Sequence, residues 1–454
     1  MDNKIPKRIT TAIFQSLAAG VVPRNGLEHI AVGRKEEISA LLSDLDDVVA
    51  DGGATFRLIL GRYGSGKSFL GQLVRNYALQ RNFVVADADL SPDRRLTGSK
   101  GEGLNLYREL LNNMATRTRP DGNAFAAVLE RWISDVQSEV IQQSGLTPSD
   151  QGFASAVEKR IHATIDQMEG LVHGFDFATV INAYWRGHLT ADDQLQGAAL
   201  RWLRGEYTLK SEARDALNVR VIIDDAAWYD YIKLLASFVR DIGYQGLVIF
   251  LDEAVNLYKI SHTASRANNY ERLLTIFNDT LQGKAAHLAI IMGTTPQMVE
   301  DSKRGLFSYD ALRTRLEESR YARGGLRDLS GPMLRLDVLT STEIFVLLQR
   351  LRELHGLHHK YTAAVTDQQI QTFMTEVLTR LGTDQMLTPR EVVRDFVTML
   401  NLLYQNPTLS FADLVNSDDF KVTTAPDDPE ALTSENEMQD ASEEVSSTFA
   451  TFRL

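Results

Sequence analysis

The stretch Phe56–Leu70, FRLILGRYGSGKSFL, sets a strand, a glycine-rich turn and a lysine in immediate succession. Phe56–Leu60 is apolar except for Arg57 and reads as a strand of a parallel sheet covered on both faces. The next eight residues, Gly61, Arg62, Tyr63, Gly64, Ser65, Gly66, Lys67 and Ser68, fit G-x-x-x-x-G-K-[ST]. Glycines let such a loop curl until its backbone N–H groups converge on phosphate oxygens. A helix starting near Lys67 points its positive dipole end at the same anion. In that reading Lys67 reaches the β/γ-phosphates, and the Ser68 hydroxyl is a ligand of Mg2+. Chance yields roughly one such pattern per hundred chains of this length. The strand before it and the helical spacing after it (Phe69, Leu70, Leu73, Val74, Ala78) make coincidence rarer still.

A phosphate loop needs a carboxylate for the metal and a group to activate water. GLVIFLDE, Gly246–Glu253, offers both: Leu247–Leu251 is a strand, and Asp252 stands at its carboxyl end, where ligands of open α/β sheets bind. Asp252 is the expected metal carboxylate and Glu253 the expected base. The following strand, Leu288–Met292, leads to Thr294 and Thr295. Thr294 is the candidate for a polar contact with γ-phosphate or water, and Thr295 suits a cap for the helix opened by Pro296. Strands at Phe83–Ala88 and Met333–Val338 complete the expected sheet. Arg313 and Arg315 lie in SYDALRTRLEE, and Arg390 follows Thr388 and Pro389 at a helix start; an arginine can neutralise charge on a transferring phosphoryl group.

From Leu90 to Leu247 the chain runs through 156 residues, too many for a simple crossover, so the nucleotide fold must carry a large insertion. Its patterns are mostly helical, as at Ala124–Ile133 and Phe153–Met168. Basic and aromatic residues mix in RRLTGSKGEGLNLYREL and INAYWRGHL, which suits either a nucleic-acid backbone or a solvated face. Thr340–Tyr404 is helical throughout, and residues 1–30 contain an amphipathic helix expected to pack on the nucleotide core. Within ELHGLHHK, His355 and His359 share helical spacing, but Gly356 and Lys360 weigh against a metal and favour solvated histidines at a helix end. Eight acids and no base fall between Asp427 and Glu444, the composition of a disordered tail, before STFATFRL.

The chain holds 454 residues, net charge −12 and no cysteine. Disulfides and zinc–thiolate sites are excluded, and a surface that coats nucleic acid is disfavoured, although a basic pore is not. With no apolar run long enough for a bilayer and no signal-peptide core, a cytoplasmic protein is expected.

The constellation resembles an AAA+ ATPase of the origin-recognition-like branch. The stretch HIAVGRKEEI, His29–Ile38, looks like the adenine-side box, with Val32 and Gly33 on the nucleotide. The Walker A loop Gly61–Ser68 with Phe69, Walker B at Asp252 and Glu253, a sensor strand, an arginine-finger helix and a lid bearing Arg390 follow in order. AGVVPRNGLEHIAVGR, ADADLSPDRRL, VRVIIDDAAWYDYIKLL, LVIFLDEAVNLYKI and LTPREVVRDFVTMLN are similar to the ATP-binding proteins of bacterial BREX-type phage-defence systems, from about Arg8 to Asn406. The resemblance implies an α/β fold: an AAA+ (ASCE P-loop) parallel sheet core at 31–338 with a helical insertion at about 95–220. An N-terminal segment at 1–30, a helical lid at 339–420 and an acidic tail at 421–454 would complete it. It also implies ATP and Mg2+ as ligands, a homo-oligomeric ring, and DNA or a helicase as partner; a slowly hydrolysing scaffold that presents surfaces to partners is the alternative, which the departures below favour. Two departures stand out. Gln405–Phe420 is too short for a winged helix, and the second strand ends in Asp87 and Asp89 where many relatives restrain the catalytic glutamate with asparagine.

Overall fold

The computed structural model describes residues 5–166, 171–317, 327–362, 365–381 and 389–415. The acidic tail and Thr388 lie outside them. The chain divides into two compact units, Arg34–Asp337 and the pair of segments Met1–Gly33 with Val338–Leu454.

The larger unit is built on a five-stranded sheet of β1 (Ala54–Leu60), β2 (Val84–Asp89), β3 (Leu247–Asp252), β4 (Leu288–Thr294) and β5 (Met333–Arg335), ordered β2-β3-β4-β1-β5. Every pairing is parallel, so all five carboxyl ends share one edge. Alternate side chains enter two cores. Leu58, Leu60, Ile249, Leu251, Ile290 and Met292 face one side with Leu273 and Phe277 of the helix Thr263–Leu281. Ile59, Val248, Phe250 and Ile291 face the other, against Leu70, Val74 and Ala78 of the helix Lys67–Gln80. Burial on both faces explains the near-continuous apolar strands. Arg57, the exception, is buried because Asp44 takes its Nε and Nη2 at 2.5 and 2.8 Å and Leu329 O takes Nη1 at 3.1 Å.

β5 is shorter than the expected Met333–Val338. Leu336 N still donates to Leu60 O at 2.7 Å, but the Asp337 carbonyl then turns to the Arg34 guanidinium. Between β2 and β3 the insertion is helical, beginning with Glu102–Asn112 and Phe125–Ser144, and Trp228–Asp241 then leads back onto β3. Its two ends are tied together. Asp225 accepts from Thr97 Oγ1 (2.8 Å), Gly98 N (3.0 Å) and Gly103 N (2.5 Å), and Trp228 Nε1 donates to Leu96 O at 2.9 Å.

The smaller unit gathers Lys7–Ala18, Ser341–His359, Asp367–Leu381 and Pro389–Gln405. Ile13 and Phe14 of the first helix are buried, with Phe14 edge-on to His355 at 5.2 Å. Gly356 does not break the second helix, which continues to His359. His355 is fully buried rather than solvated. Asn401 Oδ1 lies 3.1 Å from its Nε2 and can only accept, so Nε2 carries the proton and Nδ1 accepts from the Tyr361 hydroxyl at 2.8 Å. That neutral form is further enforced by burial and by His359 and His358, which together hold its pKa down at about 4. His358 and His359 are also lowered, first by burial, then His358 by His359 and Lys7 and His359 by Lys7. Among the described residues no cluster of three or more His, Cys, Asp or Glu side chains could hold a metal ion, these histidines included. Because these folded pKa values lie below the ordinary histidine value, the unfolded chain takes up protons first as pH falls. The stability is complete above about pH 6.5 and declines between there and about pH 4. Thermal midpoints of the protein should therefore fall from pH 7.5 to 5, with a shallower slope in His355→Gln; equal slopes in both would remove His355 as the cause.

Candidate nucleotide-binding site

The loop after β1 occupies the carboxyl edge of the sheet. Gly66 caps the helix Lys67–Gln80 in the left-handed region at φ 94°, which suits glycine. A Cβ on Gly61 would collide with Ser65 Oγ, so a larger residue there would displace the Ser65 side chain. Gly64 shares the left-handed conformation, and Gly61 N donates to Thr294 O at 3.1 Å, anchoring the loop to β4. Lys67 Nζ donates to Gly61 O (2.7 Å) and Arg62 O (3.0 Å) and lies 5.3 Å from the Tyr63 ring centroid. Ser65 Oγ is buried without a hydrogen-bond partner. Phe69 follows in the first helical turn.

Ser68 Oγ donates to Asp252 Oδ2 at 2.6 Å. These are two hard oxygen donors side by side, the chemistry that Mg2+ selects. Glu253 has φ 54°, and its amide donates to Asp252 Oδ1 at 2.9 Å. Its carboxylate meets the Tyr63 hydroxyl at 3.4 Å. Burial raises the Glu253 pKa first, then Asp252 and Asp89, against the lowering influence of Lys67 and Tyr63. Asp89 pairs in register with Asp252 and is itself raised, by desolvation and then by Asp252. Asp87 instead accepts from Arg75 Nε at 2.8 Å. Of the two acids at the end of β2, Asp89 is the one that crowds the site.

Other sequence candidates are placed elsewhere. Thr294 is buried and its hydroxyl donates to Met298 Sδ at 2.8 Å, so it is the backbone carbonyl of Thr294 that reaches the loop. The Thr295 side chain caps the helix Pro296–Glu300 by accepting from Met298 N at 3.4 Å. Arg313 pairs with Asp310 at 2.9 Å, and Arg315 Nε donates to Asn278 at 2.9 Å; both stand exposed on the helix Asp310–Leu316. Val32, Gly33 and Arg390 belong to the smaller unit. There Gly33 has φ 66° and a Cβ would sit 2.6 Å from Glu343 Oε1, while exposed Arg390 lies beside Gly20.

Sequence reasoning missed a clamp beneath the loop. Arg34 donates to Ser65 O at 3.2 Å and, with Arg327, to buried Glu37, at 3.4 and 2.9 Å. Its signal was the Arg34-x-x-Glu37 spacing, which sets Arg34 at the N-cap of the helix Lys35–Ser43 and Glu37 in its first turn. The insertion's basic residues also read differently in three dimensions. Arg94 pairs with Glu109 at 3.0 Å, and Arg108 donates from Nε and Nη2 to Gly205 O at 2.8 and 2.6 Å. These arginines pin the insertion internally and are not presented as a free basic stripe.

No helix among the described residues is long and apolar enough to cross a membrane. No curated protein matches the chain. The family described as BREX system ATP-binding protein BrxC/D matches residues 5–419. The parallel sheet with a phosphate loop and an acidic strand end at one edge is consistent with an ATP-binding P-loop core, and the chain belongs to this BrxC/D family of BREX ATP-binding proteins.

Proposed function

We propose that the chain is an AAA+-type ATPase of BREX phage defence, which binds ATP with Mg2+ at Gly61–Ser68 and hydrolyses it. The observation that carries this reading is the Ser68–Asp252 contact of 2.6 Å at the start of the helix that follows the loop. The loop amides and Lys67 bind the phosphates once Lys67 leaves the carbonyls of Gly61 and Arg62. Ser68 and Asp252 hold the metal, which when bound neutralises charge on the phosphates. Glu253 accepts the proton of the attacking water, and Arg313 or Arg315 stabilises the developing charge from a neighbouring copy in a ring. Roles for Val32 and Gly33 rest on the family resemblance, and those for Arg390 and Thr294 on that resemblance and on their places at a helix start and a strand end.

The motor would act on DNA or on a helicase partner. A slowly hydrolysing scaffold is the second reading, favoured by Asp89, which opposes the ionised Glu253 where a donor would restrain it. Turnover of purified protein with and without duplex DNA separates them. Stimulation by DNA is the expected result for the motor, and a slow rate indifferent to DNA leaves the scaffold.

A further inference from the structure

Glu253 stands in a difficult place. Asp252 precedes it, Asp89 lies opposite Asp252 in the neighbouring strand, and its own backbone is left-handed. A carboxylate pressed by two others swings toward water unless a donor holds it. The neighbouring end of β2 supplies no such donor, because it carries the repelling Asp89. The donor comes instead from the phosphate loop, where the Tyr63 hydroxyl meets Glu253 Oε2 at 3.4 Å. The same ring lies 5.3 Å from Lys67 Nζ, so one half-buried side chain touches both the base and the phosphate-binding lysine.

We infer that Tyr63 is the positioning residue for Glu253, its hydroxyl fixing the carboxylate against the repulsion of Asp89 and Asp252 while its ring steadies the loop. This rests on the reading of Glu253 as the base. It assigns the third residue of the phosphate loop, otherwise a backbone contributor, a side-chain part in hydrolysis. It also explains how a chain with aspartate at the end of β2 could hydrolyse ATP at all.

Tyr63→Phe keeps the ring and removes the hydroxyl. The expected result is a kcat lower by about tenfold, with ATP affinity and thermal midpoint unchanged. In a Glu253→Gln background the same substitution should cause no further loss, because Tyr63 acts through Glu253. Asp89→Asn, which removes the repulsion and offers an amide donor, should recover most of the lost rate in Tyr63→Phe. A general role in loop structure would slow both backgrounds equally and would not respond to Asp89→Asn; either outcome overturns the inference. So does a wild-type kcat in Tyr63→Phe alongside a slow Glu253→Gln. If Glu253→Gln itself turns over at the wild-type rate, the base assignment fails first and takes the role of Tyr63 with it.

Discussion

Glu253→Gln should retain ATP binding while hydrolysis slows by about two to four orders of magnitude, the range for losing a positioned general base. The substitution keeps the size of the side chain and leaves the Ser68–Asp252 pair untouched. It removes a carboxylate whose pKa is already raised by burial and by Asp252, so the nucleotide-free site loses a source of repulsion and should bind anionic phosphates no worse. Single-turnover hydrolysis with radiolabelled ATP, beside calorimetric affinity, measures the two quantities separately. A wild-type rate would move the base to another residue.

Loss of the proposed arginine finger should be comparably severe and should depend on assembly. Arg313 and Arg315 are exposed and, among the described residues, are held within one copy by Asp310, Asn278 and the Ala311 carbonyl. Contacts between exposed groups are weak, so either guanidinium can leave them for a neighbour's γ-phosphate. Replacing the finger with alanine should lower hydrolysis by about 10³ with folding intact. Mixing that variant with Lys67→Ala should restore part of the activity, because a mixed interface combines an intact loop with an intact finger. Inactivity at every mixing ratio, with both proteins folded, would exclude a finger acting in trans. The variant that mixing rescues identifies which arginine it is.

What the sequence made legible was local. The phosphate loop, the strand before it and the Asp252–Glu253 exit each declare themselves within a dozen residues, and the structure sets them at one sheet edge within a residue or two of the expected bounds. β5 was overextended because Leu336 and Val338 look strand-like, and nothing nearby in sequence reveals that Arg34 takes the carbonyl of Asp337. The basic residues of the insertion suited either a nucleic-acid backbone or a solvated face, and the internal partners of some were hidden by distance: Arg108 meets Gly205, 97 residues away. His355 looked solvated for the same reason, its burial depending on Phe14 and Asn401. Thr294 and Thr295 part at the end of β4: Met298, four residues on, claims the Thr294 hydroxyl, while the Thr295 side chain caps the next helix. Asp89 was legible as a departure, but the phenol that answers it comes from the loop after β1, far away in sequence.

The most direct test is calorimetric titration of ATP with Mg2+ into wild-type protein and into Lys67→Ala. Lys67 is the point charge within the loop, now folded onto the carbonyls of Gly61 and Arg62, and no other lysine lies in the loop to replace it. Saturable one-site binding by the wild type and none measurable by Lys67→Ala is the expected result. Equal affinity in the two proteins would contradict the assignment of Gly61–Ser68 as the nucleotide site.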